Sequence, residues 1–402
     1  MVCSNKNLHT FLSLGDHPPS DTWLTKEMLS QQQQKFPLTV LYCDNCGLVQ
    51  LGYVTPAESM FSNFIYTTSS NISLVTNFRT LAFNVTNRFE LKREDLVLDI
   101  GSNDGTELEA FRERGMRILG VEPSRAVSAI ALRKGIPTIN DFFNRKLADR
   151  ILADEGRATV ITAMNVFAHV RELNSIVSGV RNLLADRGVV IVEVHYLLDL
   201  IKESEFDSIY LEHLRYYSLR PLIYLFDKFG LEIFDAERID THGGSLRVFV
   251  CKAGNFPVQG SVAGLLEQEE KFGLYSLNTF RKFGQRTILL RQQLREFVLK
   301  AKESGSRVVG LGAPAKGNTM LNYCEFDTST IDYLAEREGS LKIGRFAPGS
   351  LIPVKDESEI FRNEPDYLLL LSWNLAEYIV PKLREQGYKG RIIVPIPEPR
   401  LI

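Results

Sequence analysis

The residues with the clearest chemical meaning lie in Val97–Thr106 and Ile118–Glu122. An apolar run, Val97–Leu98–Asp99–Ile100, enters the turn Gly101–Ser102–Asn103–Asp104–Gly105, and a second apolar run ends in Glu122. In a strand–turn–helix–strand unit, an acid about twenty residues after the turn sits where a ribose lies. Gly101 lets a ligand approach the backbone, and Glu122 can accept hydrogen bonds from both ribose hydroxyls. The pattern G-x-G-x-x-G is absent, because Ser102 and Asn103 stand where it would bring a helix N-terminus onto a pyrophosphate. A nucleoside cofactor without phosphates fits better, and S-adenosylmethionine is the expected one. Asp99 can meet a methionine amino group, with Asn103 in the same turn and Asn165 on the methionine side. Asn140–Asp141–Phe142, after the third strand, is placed to read and cover adenine.

A second cluster is Cys43–Asp44–Asn45–Cys46, a C-x2-C knuckle suited to tetrahedral zinc, with Cys3 as a third thiol. Five cysteines with this spacing suit a reducing compartment better than a disulfide framework. The set Cys3, Cys43 and Cys46 leaves a fourth ligand open, with His9, water or no metal as alternatives.

The elements that position these residues follow a regular rhythm. Apolar, β-rich runs at 96–100, 118–122, 136–140, 158–165, 188–195, 231–239 and 245–252 alternate with helical patterns such as Glu107–Arg114 and Ala126–Lys134. Asp240–Gly244 is too short for a crossover helix, so the last two strands should form an antiparallel hairpin closing a mostly parallel sheet. This α/β pattern predicts a class I methyltransferase, Rossmann-like seven-stranded sheet rather than a dehydrogenase. A charged helical connector follows over 258–304, and an α/β rhythm restarts with Val308–Ala313, Tyr367–Leu371, a helix over Leu375–Gln386 expected to kink or restart at Pro381, and Arg391–Val394. The expected organisation is an N-terminal zinc-type module over 1–75, a methyltransferase domain over 76–257, the connector over 258–304 and a smaller Rossmann-like domain over 305–402.

At 402 residues the chain is long enough for two or three domains. A net charge of −2 without a basic run argues against a nucleic-acid partner. No apolar stretch reaches the roughly 18–20 residues of a membrane span, and the first residues given show no basic region followed by an apolar one. A cytoplasmic protein is expected, free of the membrane, as a monomer or loose homo-oligomer.

Several blocks in order resemble the sugar C-methyltransferases that act on nucleotide-linked deoxysugars. They are Cys43–Leu51, Met60–Phe61–Ser62, Asp99–Gly105, Asn165–Val170, Tyr210–Leu211–Glu212–His213 and Gly312–Thr319. The resemblance implies an N-terminal zinc module, a central methyltransferase and a C-terminal Rossmann-like unit, with the nucleotide sugar, expected to be a dTDP-sugar, between the latter two. It also implies methylation of a carbon next to a ketone. Carbon is a poor nucleophile, so a base must first remove the α proton; His213 is the preferred base, with Glu212 orienting or assisting and Tyr210 beside them. In an extended segment Tyr210 and Glu212 would share a face and His213 would point away from Glu212. His169, beyond the fourth strand, lies at the carboxyl edge where ligands of open α/β sheets bind. Tyr66 falls in a segment that in the family closes over the sugar, where a phenol can bond a ketone or its enolate. Lys316 and Asn318 sit in a turn resembling a phosphate-holding loop. In family sequences Cys3 matches the second cysteine of a pair, whose first would precede Met1. Two readings compete with this one: an O- or N-methyltransferase on a similar sugar, and a nucleotide-sugar-binding protein without catalysis.

Overall fold

The computed structural model describes residues 2, 3, 5–55 and 67–402; Tyr66 and the Met60–Phe61–Ser62 block lie outside them. The chain opens with β1 (Leu8–His17), β2 (Phe36–Cys43) and β3 (Val49–Leu51), paired antiparallel in that order. Leu38 and Val40 alternate inward along β2, the period-two pattern of a half-buried strand. The cysteine knuckle makes the β2–β3 turn, where the Gly47 N–H reaches the Cys43 carbonyl at 2.9 Å and Gly47 takes a φ of 76°.

The central sheet contains the parallel strands β4 (Leu96–Ile100), β5 (Arg117–Val121), β6 (Thr138–Ile139), β7 (Ala158–Met164) and β8 (Leu184–His195). Every residue of β4 is buried, as a central strand covered on both faces requires. Between β8 and the rest of this sheet, the short β9 (Arg215–Tyr216) leaves to pair with β3, becoming the fourth strand of the N-terminal sheet. β10 (Leu231–Ile239) and β11 (Ser245–Lys252) then form the expected antiparallel hairpin, with β11 against β8. The resulting order, β10-β11-β8-β7-β4-β5-β6, is the seven-stranded mixed sheet that the sequence rhythm predicts.

The helical region after it divides into Gly260–Phe272 and Leu277–Glu303, separated at Gly273 with a φ of 77°. The C-terminal sheet comprises β12 (Val308–Leu311), β13 (Leu334–Glu336), β14 (Val354–Asp356), β15 (Tyr367–Leu370), β16 (Arg391–Val394) and β17 (Arg400–Leu401). Its order is β14-β13-β12-β15-β16-β17, parallel except for the last pair. The strands β13, β14 and β17 are too short for a periodicity to announce them in the sequence. The helix Ala376–Glu385 runs on through Pro381. Among the described residues, no helix is long and apolar enough to cross a membrane.

The long helix Leu277–Glu303 ties the N-terminal sheet to the rest. Phe280 packs 5.0 Å from the Phe11 ring and 4.6 Å from Tyr42, and Tyr42 Oη donates to the Tyr275 carbonyl at 2.8 Å. Gly284 permits this approach, because a Cβ there would stand 2.5 Å from the Phe11 carbonyl oxygen. Gly284→Ala is therefore expected to push helix and β1 apart and to lower stability by about 1–3 kcal/mol despite alanine's better helix propensity. Urea denaturation of the variant checks this; an unchanged or raised midpoint would contradict the close-packing argument.

Candidate functional site

The turn after β4 is held by backbone hydrogen bonds from Gly101 and Ser102 to the Val121 carbonyl at 2.8 and 3.2 Å. Gly101 adopts a φ of 73°, and a Cβ there would stand 2.6 Å from Val166 Cγ2, so glycine is required by conformation and by space. Asn103 also lies in the left-handed region, at a φ of 50°. Its N–H donates to Glu122 Oε2 at 2.9 Å, while Glu122 Oε1 accepts from the Ser124 N–H at 2.7 Å. Glu122 thus clamps the turn, and each carboxylate oxygen keeps lone-pair capacity for a further donor. Burial pushes its carboxyl up, against the two N–H bonds that lower it.

Asp99 is buried at the end of β4, where its Oδ1 accepts from Thr162 Oγ1 at 3.0 Å. Burial, aided by the Glu122 charge, pushes its carboxyl up to about 8. Asn165 closes the same edge with a φ of 58° and an N–H to the Glu193 carbonyl at 2.8 Å. The exposed Asn140 donates from Nδ2 to the Glu122 and Pro123 carbonyls at 2.8 and 3.1 Å, so its amide nitrogen steadies the β5 turn. Asp141 Oδ1 accepts from the Phe142 N–H at 2.8 Å, and Phe142 is 54% exposed. The segment entering the helix Ile72–Arg88 is latched to this turn: the Thr68 N–H reaches Asn103 Oδ1 at 2.9 Å, and the Ser69 N–H reaches Asp104 Oδ2 at 3.2 Å.

Tyr210–His213 folds as a turn, with the His213 N–H on the Tyr210 carbonyl at 2.9 Å. This corrects the extended reading: Tyr210 and His213 share a face, their ring centroids 3.9 Å apart, and Tyr210 Oη meets His213 Nε2 at 2.5 Å. His213 Nδ1 faces the Ser208 carbonyl at 3.3 Å. A carbonyl only accepts, so Nδ1 carries the proton and Nε2 presents the lone pair. His169 packs edge-on to His213 at 4.8 Å, and burial drives its imidazole down to about 4, leaving it neutral with Nδ1 unpartnered. Burial keeps Tyr210 a neutral phenol, well above its usual range.

Glu212 turns the other way, toward the N-terminal part of the chain. Its Oε1 accepts from the Asp21 N–H at 3.2 Å, its Oε2 has no partner, and it is 4% exposed. Burial and the adjacent Asp21 carboxyl push it up to about 8, so it carries a proton at neutral pH. Asp21 was not singled out in the sequence: one acid in Ser20–Asp21–Thr22 carries no local pattern, and only folding brings it to Glu212.

Lys316 and Asn318 lie in the first turns of the helix Ala315–Tyr323, not in the preceding turn, because Pro314 caps that helix directly. Lys316 Nζ stands 4.0 Å from the Trp373 ring centroid, and the Trp373 indole N–H donates to Asp207 Oδ2 at 2.7 Å. Asn318 is buried, with Nδ2 on the Ser20 carbonyl at 2.7 Å and Oδ1 unpartnered. At Gly312 the β4 design recurs. The Gly312 N–H reaches the Ala335 carbonyl at 2.8 Å, and Glu336 Oε2 accepts from the Ala313 N–H at 2.8 Å, as Glu122 does from Asn103. Lys342 Nζ, another residue without a sequence signal, donates to the Ala313 carbonyl at 2.7 Å and lies 4.9 Å from the Trp23 ring centroid.

The three thiols meet as expected. Ligand atoms of Cys3, Cys43 and Cys46 all lie within 4.8 Å of one another, with Cys3 and Cys43 Sγ 3.5 Å apart. His9 Nε2 is instead engaged with Asp44 Oδ2 at 3.1 Å. Three soft, converging thiols fit a zinc ion, and among the described residues no fourth Cys, His, Asp or Glu joins them.

Residues 1–61 match the family described as "Putative zinc binding domain", residues 76–236 a methyltransferase domain, and residues 240–397 the C-methyltransferase C-terminal domain. The C-methyltransferase NovU of Streptomyces niveus is 36% identical over 403 residues, covering 100% of this chain and 96% of that protein. Among solved structures, a S-adenosylmethionine-dependent methyltransferase from Clostridium acetobutylicum is 15% identical, with a TM-score of 0.35 over 45% of this chain and 92% of that one. Magnesium protoporphyrin IX methyltransferase from Synechocystis, with bound SAH, is also 15% identical, with a TM-score of 0.35 over 48% and 90%.

The raised Glu212 carboxyl makes a stability prediction. A carboxyl whose folded value, about 8, exceeds its ordinary 4.5 supports the fold below 4.5 and loses that support as pH rises through about 8. Glu212→Gln, which cannot ionise, is expected to gain on the parent protein across that window by up to roughly 1.4 kcal/mol per pH unit. Urea midpoints measured against pH check it; parallel curves for the two proteins would contradict the buried, protonated Glu212.

Proposed function

The chain belongs to the C-methyltransferase family, and from that premise we propose that it methylates the carbon next to the ketone of a nucleotide-linked keto-deoxysugar through a base-generated enolate. It is a S-adenosylmethionine-dependent methyltransferase. The observation that carries the proposal is the Tyr210–His213–His169 contact set, in which a phenol donates to Nε2 of His213 and a second, neutral imidazole packs edge-on against the same ring.

His213 Nε2 takes the α proton, and its Nδ1–H bond to Ser208 steadies the imidazolium that forms. The Tyr210 hydroxyl, which donates to Nε2 in this structure, is released as that nitrogen takes the α proton and then turns to the charge developing on the enolate oxygen. Glu212, protonated at neutral pH, serves as a donor rather than as the base. Its free Oε2 and the free Nδ1 of His169 are buried polar atoms that a sugar would satisfy. The turn residues fit the cofactor: Glu122 has lone pairs for ribose hydroxyls, Asp99 has a carboxyl for the methionine ammonium, and Gly101 keeps the backbone close. Asn103, Asn140, Asp141, Phe142 and Asn165 border that turn. When bound, S-adenosylmethionine supplies an electrophilic methyl group. Lys316 and Lys342 near the Gly312 turn suit a sugar diphosphate, with Asn318 Oδ1 open to a further donor. Zinc is assigned to the three thiols.

His213→Asn should preserve cofactor affinity and lower turnover by roughly 10²–10⁴-fold, with exchange of the substrate α proton into heavy water falling in parallel. Exchange that survives while methylation drops would make His213 a positioning residue, and survival of both rates would end the enolate mechanism. For the metal, three thiols predict zinc held below one per chain after a chelator challenge. Metal analysis giving one tightly held zinc would reveal a fourth ligand.

A further inference from the structure

Ser208 supplies the carbonyl that faces His213 Nδ1, and the residues on both sides of it are bonded to the C-terminal part of the chain. It closes the short helix Phe206–Ser208, with its own N–H on the Glu205 carbonyl at 3.0 Å. Before it, Asp207 is fully buried; its Oδ2 accepts from the Trp373 indole N–H at 2.7 Å, and its Oδ1 has no partner. After it, the Ile209 carbonyl accepts from Thr319 Oγ1 at 3.1 Å, and Thr319 is equally buried. Phe206 adds a ring contact to Tyr323 at 5.6 Å, on the same helix as Thr319. Trp373 stands just past the end of β15 and Thr319 in the helix that follows β12, so the ends of two paired strands of the third sheet bracket one short stretch of backbone. Both bonds are costly to lose, because water does not reach these depths to replace the missing donor.

The bracketed carbonyl decides a chemical property of His213. Tyr210 Oη, at 2.5 Å from Nε2, can donate or accept, so by itself it fixes no tautomer. A backbone carbonyl only accepts, so it requires the proton on Nδ1. We propose that Trp373 and Thr319 are positioning residues for His213, holding the Ser208 carbonyl where it keeps the proton on Nδ1 and leaves Nε2 to accept one. For its catalytic consequence this rests on the reading of His213 as the base. The third sheet then contributes to turnover and not only to holding the substrate. The same indole lies under Lys316 Nζ at 4.0 Å, so one side chain joins the cation assigned to the sugar diphosphate to the backbone that orients the base.

The test is nitrogen NMR of the histidine rings in the full chain, at about pH 8 where neutral imidazole prevails, with the His213 signals identified by their loss in His213→Asn. The parent protein should show His213 as a single tautomer, with one protonated and one bare ring nitrogen. In the double variant Trp373→Phe/Thr319→Val the two signals should move toward each other by about a third of their separation or more, as the tautomers mix. Asp207→Asn, whose amide oxygen still accepts the indole N–H, should keep the parental pair. His17 on β1, with Nε2 at 2.9 Å from the Leu14 carbonyl, reports on folding and should stay in place throughout. Turnover of dTDP-4-keto-6-deoxyglucose should fall roughly 10–100-fold in the double variant, with KM changed less than about threefold. A parental pair of His213 signals in the double variant, or a loss carried by KM instead of kcat, would overturn the inference. Exchange of the substrate α proton that survives in His213→Asn would end the base reading and the catalytic part of this inference, while shifted signals in the double variant would still establish the bracket.

Discussion

The backbone of Leu214 is the constraint on which the site depends. Its N–H donates to the Ala168 carbonyl at 2.8 Å, and its carbonyl accepts from the Leu51 N–H at 3.0 Å. One peptide position is thereby stapled to the segment carrying His169 on one side and to the N-terminal sheet on the other. The next two residues form β9 and extend the pairing with β3. Because His213 immediately precedes this staple, its imidazole is placed by backbone hydrogen bonds rather than by a flexible loop. Preorganisation of this kind is what the proposed proton transfer at carbon would need, since a base must meet a weakly acidic C–H in one orientation.

The third sheet contributes through a single helix. Ala315–Tyr323 places Thr319 Oγ1 on the Ile209 carbonyl at 3.1 Å and Asn318 on the Ser20 carbonyl at 2.7 Å, so it touches both of the other parts of the chain within one turn. Trp373 adds a buried bond to Asp207, whose carboxyl is pushed up to about 6 by burial, against the opposing effects of Lys316 and of the Trp373 bond itself. The residues 207–213 are therefore gripped from three directions. Burying that many polar groups has a consequence: the acids here and under the Gly101 turn are raised above the usual carboxylate range, chiefly by burial.

Much of this was readable before folding, for reasons that can be assigned to particular residues. The strands β4, β5, β7, β8, β10 and β11 are long or continuously apolar, and the 240–244 link is too short for anything but a hairpin. Cys43 and Cys46 carry their meaning in a fixed local spacing. By contrast β9 has two residues, and Asp21, Lys342 and Trp373 are ordinary surface-type or core-type residues whose neighbours say nothing of a site. The turn at Tyr210–His213 reversed the expected pairing of faces, since alternation holds only in an extended backbone.

By itself the sequence determined the seven-stranded α/β core, the glycine turn with the acid that closes the following strand, and the thiol triad, because each depends on short-range periodicity or spacing. Tertiary structure alone decided that Nδ1 of His213 faces the Ser208 carbonyl and Nε2 the Tyr210 hydroxyl, that burial and Asp21 raise the Glu212 carboxyl, and that both carboxyl oxygens of Glu107 are buried without a hydrogen-bond partner. Protonation depends on burial and on charges brought from distant parts of the chain, and neither exists until the three sheets have closed on one another.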